Sequence, residues 1–349
     1  MMRPIDFGRR YVRINGPIKL RIDMKSLIIT AILILLTIAV AIFALMTGTL
    51  KLSVQEVFSA FVGQASGMKR TVVMEWRLPR ILAAIIFGAG LAVSGAIFQS
   101  ITRNPLGSPD IIGFTSGSYT GALVAMLVSG ATSYIGVATG ALIGGFATAI
   151  IIYLLAFRKG TQGFRLIIVG IAISAVLGSV NSMLLLKSDA EVALTAAAWG
   201  VGSLNGIDWE QAILPIIVVI FLLICAWIMN RPLREMELGD DAAKSHGVRI
   251  GRDQLLLILI AVALTAAPTA VMGPISFVAL VAPQIALRLT KSAESLFPIA
   301  AMGAFLLLGA DVLAQRIISG NIFPVGVVTL SLGGIYLIYL LFHQARTTL

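Results

Sequence analysis

Reactive side chains are scarce in this sequence. It carries one cysteine and two histidines in 349 residues, and its charged residues amount to 12%, against roughly 25% in a typical soluble domain. Cys225 stands alone inside an apolar run, so the chain forms neither an internal disulfide nor a thiolate metal cluster. His246 and His343 do not make an H-E-x-x-H pair, and neither a G-x-S-x-G turn nor a G-x-x-x-x-G-K-[ST] phosphate loop occurs. These absences argue against intramembrane proteolysis, zinc hydrolysis and nucleotide binding by the usual phosphate cradle. An ion-coupled transporter needs ionisable ligands at mid-depth in its spans. Only Asp311 lies inside an apolar segment, while Asp110 begins another at its inner edge, where it suits a helix N-terminus. One acid is thin support for proton coupling, so energy for transport is expected from another source.

What the chain has in abundance is apolar length. Hydrophobic residues make up 58%, and one membrane-spanning helix needs roughly 20 of them. Ten segments qualify, at 27–46, 81–101, 111–129, 134–157, 166–186, 212–229, 255–272, 274–287, 297–314 and 322–342. The eighth is short and holds Pro274 and Pro283, but charge parity requires it. With ten spans and a cytoplasmic N-terminus, only Lys51, Lys69, Arg70, Arg77, Arg80, Lys187 and Arg316 of the 26 Lys and Arg fall outside. The remainder, including Arg9, Arg10, Arg158 and Lys159, fall inside, as the positive-inside rule requires. The net charge of +10 therefore reads as membrane orientation and not as a nucleic-acid partner. The expected fold is all-α, a polytopic membrane protein of about ten transmembrane helices with both ends cytoplasmic. Residues 1–26 form a basic cytoplasmic extension that reads as uncleaved. Residues 27–349 form the transmembrane domain.

Three stretches fall outside the spans. Residues 47–80 make a long outer loop with an amphipathic turn around Val54–Phe58. Within 187–211 an apolar patch, Ala193 to Val201, is too short to cross and is expected on the outer surface or dipping part-way in. The inner loop 230–254 gathers Glu235, Glu237, Asp240, Asp241 and Asp253. Its pattern predicts a short helix with Pro232 near the first turn, a break at Gly239, and a second helix capped by Asp240 or Asp241 and running to His246. Gly247 follows as the left-handed terminator. Two such helices make a rigid knob able to dock in a cleft of a soluble partner; a solvated connector is the other reading. At the outer rim, Trp76-Arg77-Leu78-Pro79-Arg80 presents two arginines suited to bidentate pairing with carboxylates, or to anchoring at the interface. Small residues recur at packing intervals, as at Gly88/Gly90, Gly117/Gly121 and Gly140/Gly144. Asp311 reads as a gate or relay group, or as a structural acid bonded to nearby backbone or paired with Arg316.

Read in order, Arg77–Arg80, Ser94–Gln99, Asn104–Pro109, Leu238-Gly239, His246–Val248, Gly273–Phe277, Val281–Pro283 and Pro324–Thr329 resemble the FecCD-type permeases of bacterial ABC importers. The likeness covers the chain beyond the N-terminal extension. It implies a type II ABC importer permease in the bacterial inner membrane, with iron–siderophore chelates, haem or cobalamin as cargo. Phe164–Ile168, Gly202–Gly206 and Ser331–Leu337 carry a narrower likeness, which implies a ferric catecholate siderophore. The resemblance further implies that Leu238, Gly239, Asp240, Asp241, Ala243, His246 and Gly247 couple to an ATPase. Arg77 and Arg80, with Arg316, match arginines that dock a periplasmic substrate-binding protein. A family arginine between the ninth and tenth spans is replaced here by Gln315, with Arg316 one residue on. Asn104 and Pro105 join Asp311 as candidate gate or structural residues. The implied partners are a paralogous permease in a heterodimer, two copies of a cytoplasmic ATPase, the binding protein and membrane lipid. No cofactor is expected on this chain, ATP and Mg belonging to the ATPase. Two alternatives stand: another cargo of the same family, and an ion-coupled secondary transporter for which Asp311 would be essential.

Overall fold

The computed structural model describes residues 11–14, 20–65, 67–131, 133–156, 163–292, 295–317 and 323–347. Arg9, Arg10, Arg158 and Lys159 of the charge argument lie outside the described residues, as does the side chain of His343. Ten apolar helices follow the expected segments: Met24–Met46, Leu78–Thr102, Phe114–Val128, Tyr134–Ala156, Gly163–Lys187, Trp209–Ile228, Ile250–Met272, Val278–Thr290, Phe297–Ala314 and Val325–Thr347. They are called the first to tenth spans below. Seven are individually long and apolar enough to cross a membrane, and the third, eighth and tenth are shorter apolar stretches.

Four local features differ from the sequence expectation or sharpen it. The basic extension holds a small antiparallel hairpin, Tyr11–Ile14 against Leu20–Asp23, directly before the first span. The amphipathic turn of the outer loop is a helix, Val54–Phe61. Its capping box joins Ser53 and Glu56, each side chain bonding the other's backbone N–H. The third span does not run straight from residue 111. A first turn, Pro109–Ile112, is capped by Ser108, and the helix restarts after Gly113 in a left-handed conformation (φ 95°). Asp110 lies in that first turn, at a helix N-terminus as expected, and its Oδ2 accepts the backbone N–H of Phe277 at 3.2 Å. The eighth span starts at Val278, later than the hydropathy pattern suggests. Gly273 (φ 73°) ends the seventh span, Pro274 cannot continue it, and Phe277 takes a left-handed φ of 71°.

Packing centres on the second span, which carries Phe87, Leu91, Ile97 and Phe98 fully buried. Its Ser94 Oγ donates to the Ala261 carbonyl of the seventh span at 2.7 Å, and its Gln99 Nε2 donates to the Leu280 carbonyl of the eighth at 3.0 Å. Close approach is obtained by removing side chains. A Cβ on Gly88 would lie 2.4 Å from the Gly303 carbonyl oxygen, so the second and ninth spans touch backbone to backbone. The Gly117/Gly121 face meets the Gly140/Gly144 face in the same way, joining the third and fourth spans. The apolar patch of the outer region is the helix Ala190–Val201, stacked through Trp199 on Tyr119 with ring centroids 6.2 Å apart.

The exposed faces are of two kinds. The sixth span shows Ile213, Leu214, Ile217, Phe221, Ile224 and Ile228, all bulky and apolar. The fifth span mixes exposed small residues, Ala172, Ala175, Gly178, Ser179 and Ser182, with exposed bulky ones, Ile168, Ile171, Val176, Met183 and Leu186. Bulky aliphatic surface suits lipid tails, while small and hydroxyl residues suit contact with another helix.

Candidate functional site

The candidate residues fall at the two ends of the second span and on the inner loop. At the outer end the helix widens into a π turn over Val72–Arg77. Pro79 has no N–H for the Glu75 carbonyl, and Leu78 donates instead to Val73, one residue further back than in an α-helix. The turn aims Arg77 at the end of the first span, where its guanidinium donates to the carbonyls of Leu45 and Leu50.

Arg80, one turn deeper, forms a two-point ion pair with Asp311 of the ninth span. Nη2 lies 2.7 Å from Oδ1 and Nε 2.9 Å from Oδ2. Gln315 adds a third donor, Nε2 at 2.8 Å from Oδ2. The Asp311 side chain is 2% exposed and that of Arg80 14%, so both charges sit inside the protein. The structure thus corrects one pairing: Asp311 is held by Arg80 and Gln315, and not by Arg316, whose guanidinium lies over the Phe43 ring at 4.6 Å. Of the three docking candidates, Arg316 is exposed, Arg77 is half-buried and Arg80 is committed inward. Together Trp76, Arg77, Arg80, Glu75, Asp208 and Gln315 help line an open outer cavity of about 530 Å³.

At the inner end the loop forms the expected two helices, Asn230–Glu237 and Asp240–Ser245, broken at Gly239 (φ 115°). Gly247 (φ 85°) terminates the second as expected, its N–H bonding to Lys244. The predicted cap is corrected: Gly239 occupies that position, and neither Asp240 nor Asp241 caps through its side chain. Asp240 pairs instead with Arg103, at the end of the second span, and Arg103 also donates to the Met236 carbonyl at 3.0 Å. Ser100 Oγ lies 2.5 Å from Glu237 Oε1, which Arg234 also contacts. Burial lowers the pKa of Arg234, and Glu237 beside it opposes that shift. Leu233, Met236 and Ala243 pin the underside, while Leu238, Asp241, Lys244, Ser245 and His246 face outward. His246 Nδ1 sits 2.6 Å from Glu235 Oε2, tying the two short helices together.

Asn104 and Pro105 lie just beyond Arg103 in a tight turn. Asn104 Oδ1 accepts the Leu106 N–H at 2.9 Å, and Arg103 takes a left-handed φ of 50°. Both residues line an inner cavity of about 250 Å³ with Gln99, Arg234, Glu237 and Gln284. Sequence reasoning missed Ser100 and Arg103 as participants, and placed Gln315 at the position of a family arginine without its bond to Asp311. Arg103 carried a usable signal, as the lone basic residue between the second and third spans. Ser100 carried none.

A multi-span helical bundle with a compact inner knob and an arginine-bearing outer rim has the architecture of a membrane permease. The FecCD transport family model matches residues 34–343. The chain is 48% identical to the ferric enterobactin transport system permease protein FepG of Escherichia coli over 324 residues, 92% of this chain and 98% of that one. It is 37% identical to the iron(3+)-hydroxamate import system permease protein FhuG of Bacillus subtilis, covering 91% and 97%. A solved structure described as a metal-chelate type ABC transporter in an inward-facing conformation superposes with a TM-score of 0.80 at 30% identity, covering 90% of this chain and 99% of that one. The chain belongs to the FecCD transport family and is a multi-pass inner-membrane permease of the ABC importer type.

Proposed function

We propose that this permease carries a ferric catecholate siderophore of the enterobactin type inward across the membrane. The observation that carries the reading is the 48% identity, over nearly the whole of both chains, to a permease named for ferric enterobactin. Relatives named for hydroxamate and hemin share 37% and 32% identity. No bond of the cargo is broken on this chain. ATP and Mg are held by a separate ATPase, of which two copies serve this subunit and a paralogous permease.

In this reading a periplasmic binding protein delivers the chelate to the outer rim, where Arg77 and Arg316 offer cations to its carboxylates. Arg80 contributes there by holding the second span against the ninth through Asp311. On the inner side, Leu238, Gly239, Asp240, Asp241, Ala243, His246 and Gly247 form the knob that sits in the ATPase cleft. Motion of the knob reaches the membrane through Arg103 and Ser100, so the second span links the two docking surfaces as one helical rod. Asn104 and Pro105 shape the turn that leaves this rod. The test is uptake of radioiron-labelled enterobactin into cells lacking the gene, with and without its restoration, beside ferrichrome and cobalamin. Loss and rescue of the catecholate alone is the expected result; intact catecholate uptake with loss of another cargo would overturn the substrate.

A further inference from the structure

Near the outer end of the bundle, the fourth, sixth and seventh spans border an open cavity of about 510 Å³ that neither docking surface uses. Its floor is made of Ala263, Ala267 and Ala270, which recur on one face of the seventh span. Alanines at that spacing leave depth where larger residues would close the groove. Its walls include Ile135, Leu142, Phe146 and Leu214, and the residues around it on the sixth span are bulky and apolar. Its polar lining includes Tyr134, Glu210 and Gln211, near the outer ends of the fourth and sixth spans. Pro215 cannot donate to the Gln211 carbonyl. The Tyr134 hydroxyl reaches that carbonyl at 3.4 Å, joining the two spans. Glu210 is exposed there, giving that end a negative charge.

We propose that this cavity is a phospholipid site, taking one acyl chain between the fourth and sixth spans with a headgroup amine at Glu210. The occupant follows from the surroundings. The cavity opens among bulky apolar side chains that are themselves exposed, Ile135, Phe146, Leu214 and Val218, the kind of surface that faces lipid tails. The acidic end favours a zwitterionic amine headgroup, as in phosphatidylethanolamine, over the anionic phosphatidylglycerol. Tyrosine at this depth suits the headgroup boundary.

The experiment uses the full-length protein, purified in mild detergent with the subunits that accompany it and exposed to equal phosphatidylethanolamine and phosphatidylglycerol. Native mass spectrometry then reads the retained lipid. The wild type is expected to hold one phosphatidylethanolamine. Ala267→Phe fills the floor and Thr139→Trp blocks the exposed wall, and each should lose that lipid. Thermal unfolding of both variants controls for folding, and Thr139, being exposed, keeps the test valid if Ala267→Phe fails to fold. Glu210→Gln should keep a bound lipid while losing the headgroup preference. Equal retention in the blocked variants, no retained lipid in the wild type, or cross-linking of a cysteine at Leu214 to another subunit would each overturn the proposal.

Discussion

The two ends of the second span use the same chemistry under opposite conditions. At the outer end Arg80 meets Asp311 with side-chain exposures of 14% and 2%; at the inner end Arg103 meets Asp240 with exposures of 47% and 41%. A buried pair punishes the loss of either partner, because the survivor is left as an uncompensated charge, whereas an exposed pair contributes little to stability. The outer pair also sits about two turns from the Gly88–Gly303 contact along both antiparallel helices, so it locks a seam already closed by backbone packing. The inner pair fastens a loop whose far side is open. One end of the rod is a fixed clamp and the other a joint that can be loaded from outside.

That contrast can be broken most forcefully at the clamp. Arg80→Ala should destabilise the protein by about 3–5 kcal/mol, read as a large drop in thermal unfolding temperature in detergent. The paired exchange Arg80→Asp with Asp311→Arg should recover part of the loss. A docking arginine would behave differently, weakening binding-protein affinity with stability unchanged. At the joint, Arg103→Ala should change stability by no more than about 1 kcal/mol yet lower uptake per ATP hydrolysed, measured in proteoliposomes. Equal ATPase-to-uptake ratios in mutant and wild type would remove Arg103 from the coupling route.

The smallest effect lies in the outer loop. The Lys69 ammonium and the Ser53 cap hold the exposed Glu56 carboxyl down at about 2. Because its folded pKa is depressed, its contribution is fully present above the ordinary carboxylate range of about 4.3 and is lost as pH falls toward 2. Protection of the Val54–Phe61 backbone against hydrogen exchange should therefore persist at pH 4 and fade near pH 2. Glu56→Gln should flatten that dependence.

Much of this architecture was written in local pattern. Apolar run length gave the spans, and the glycine pairs at Gly117/Gly121 and Gly140/Gly144 proved to be the facing surfaces of two neighbouring helices. Gly239 and Gly247 marked the breaks of the knob, because their positive φ angles are set by the chain itself. The outer clamp was not legible in the same way. Arg80 and Asp311 stand 231 residues apart in sequence, so helical spacing pointed Asp311 toward Arg316, its near neighbour. Depth was the signal that could have corrected this: Arg80 opens the second span at its outer edge, and Asp311 lies in the outer third of the ninth. Similarly, Asp240 has the residue type of a cap, yet Arg103 lies within reach of its carboxylate, a tertiary partner that no window around the loop contains.

If the knob is the route by which ATP-driven motion reaches the bundle, Gly239 is the residue at which that route breaks. Its φ of 115° excludes proline; nothing lies within 4 Å of a Cβ built there, and the change also removes the N–H that Gly239 donates to the Met236 carbonyl at 3.3 Å, so the disturbance falls on the break between the two short helices. Gly239→Pro should insert into the membrane at wild-type levels and retain the Arg80–Asp311 clamp's thermal stability, while uptake of the ferric chelate falls to background. Uptake at the wild-type rate in that variant would contradict the account.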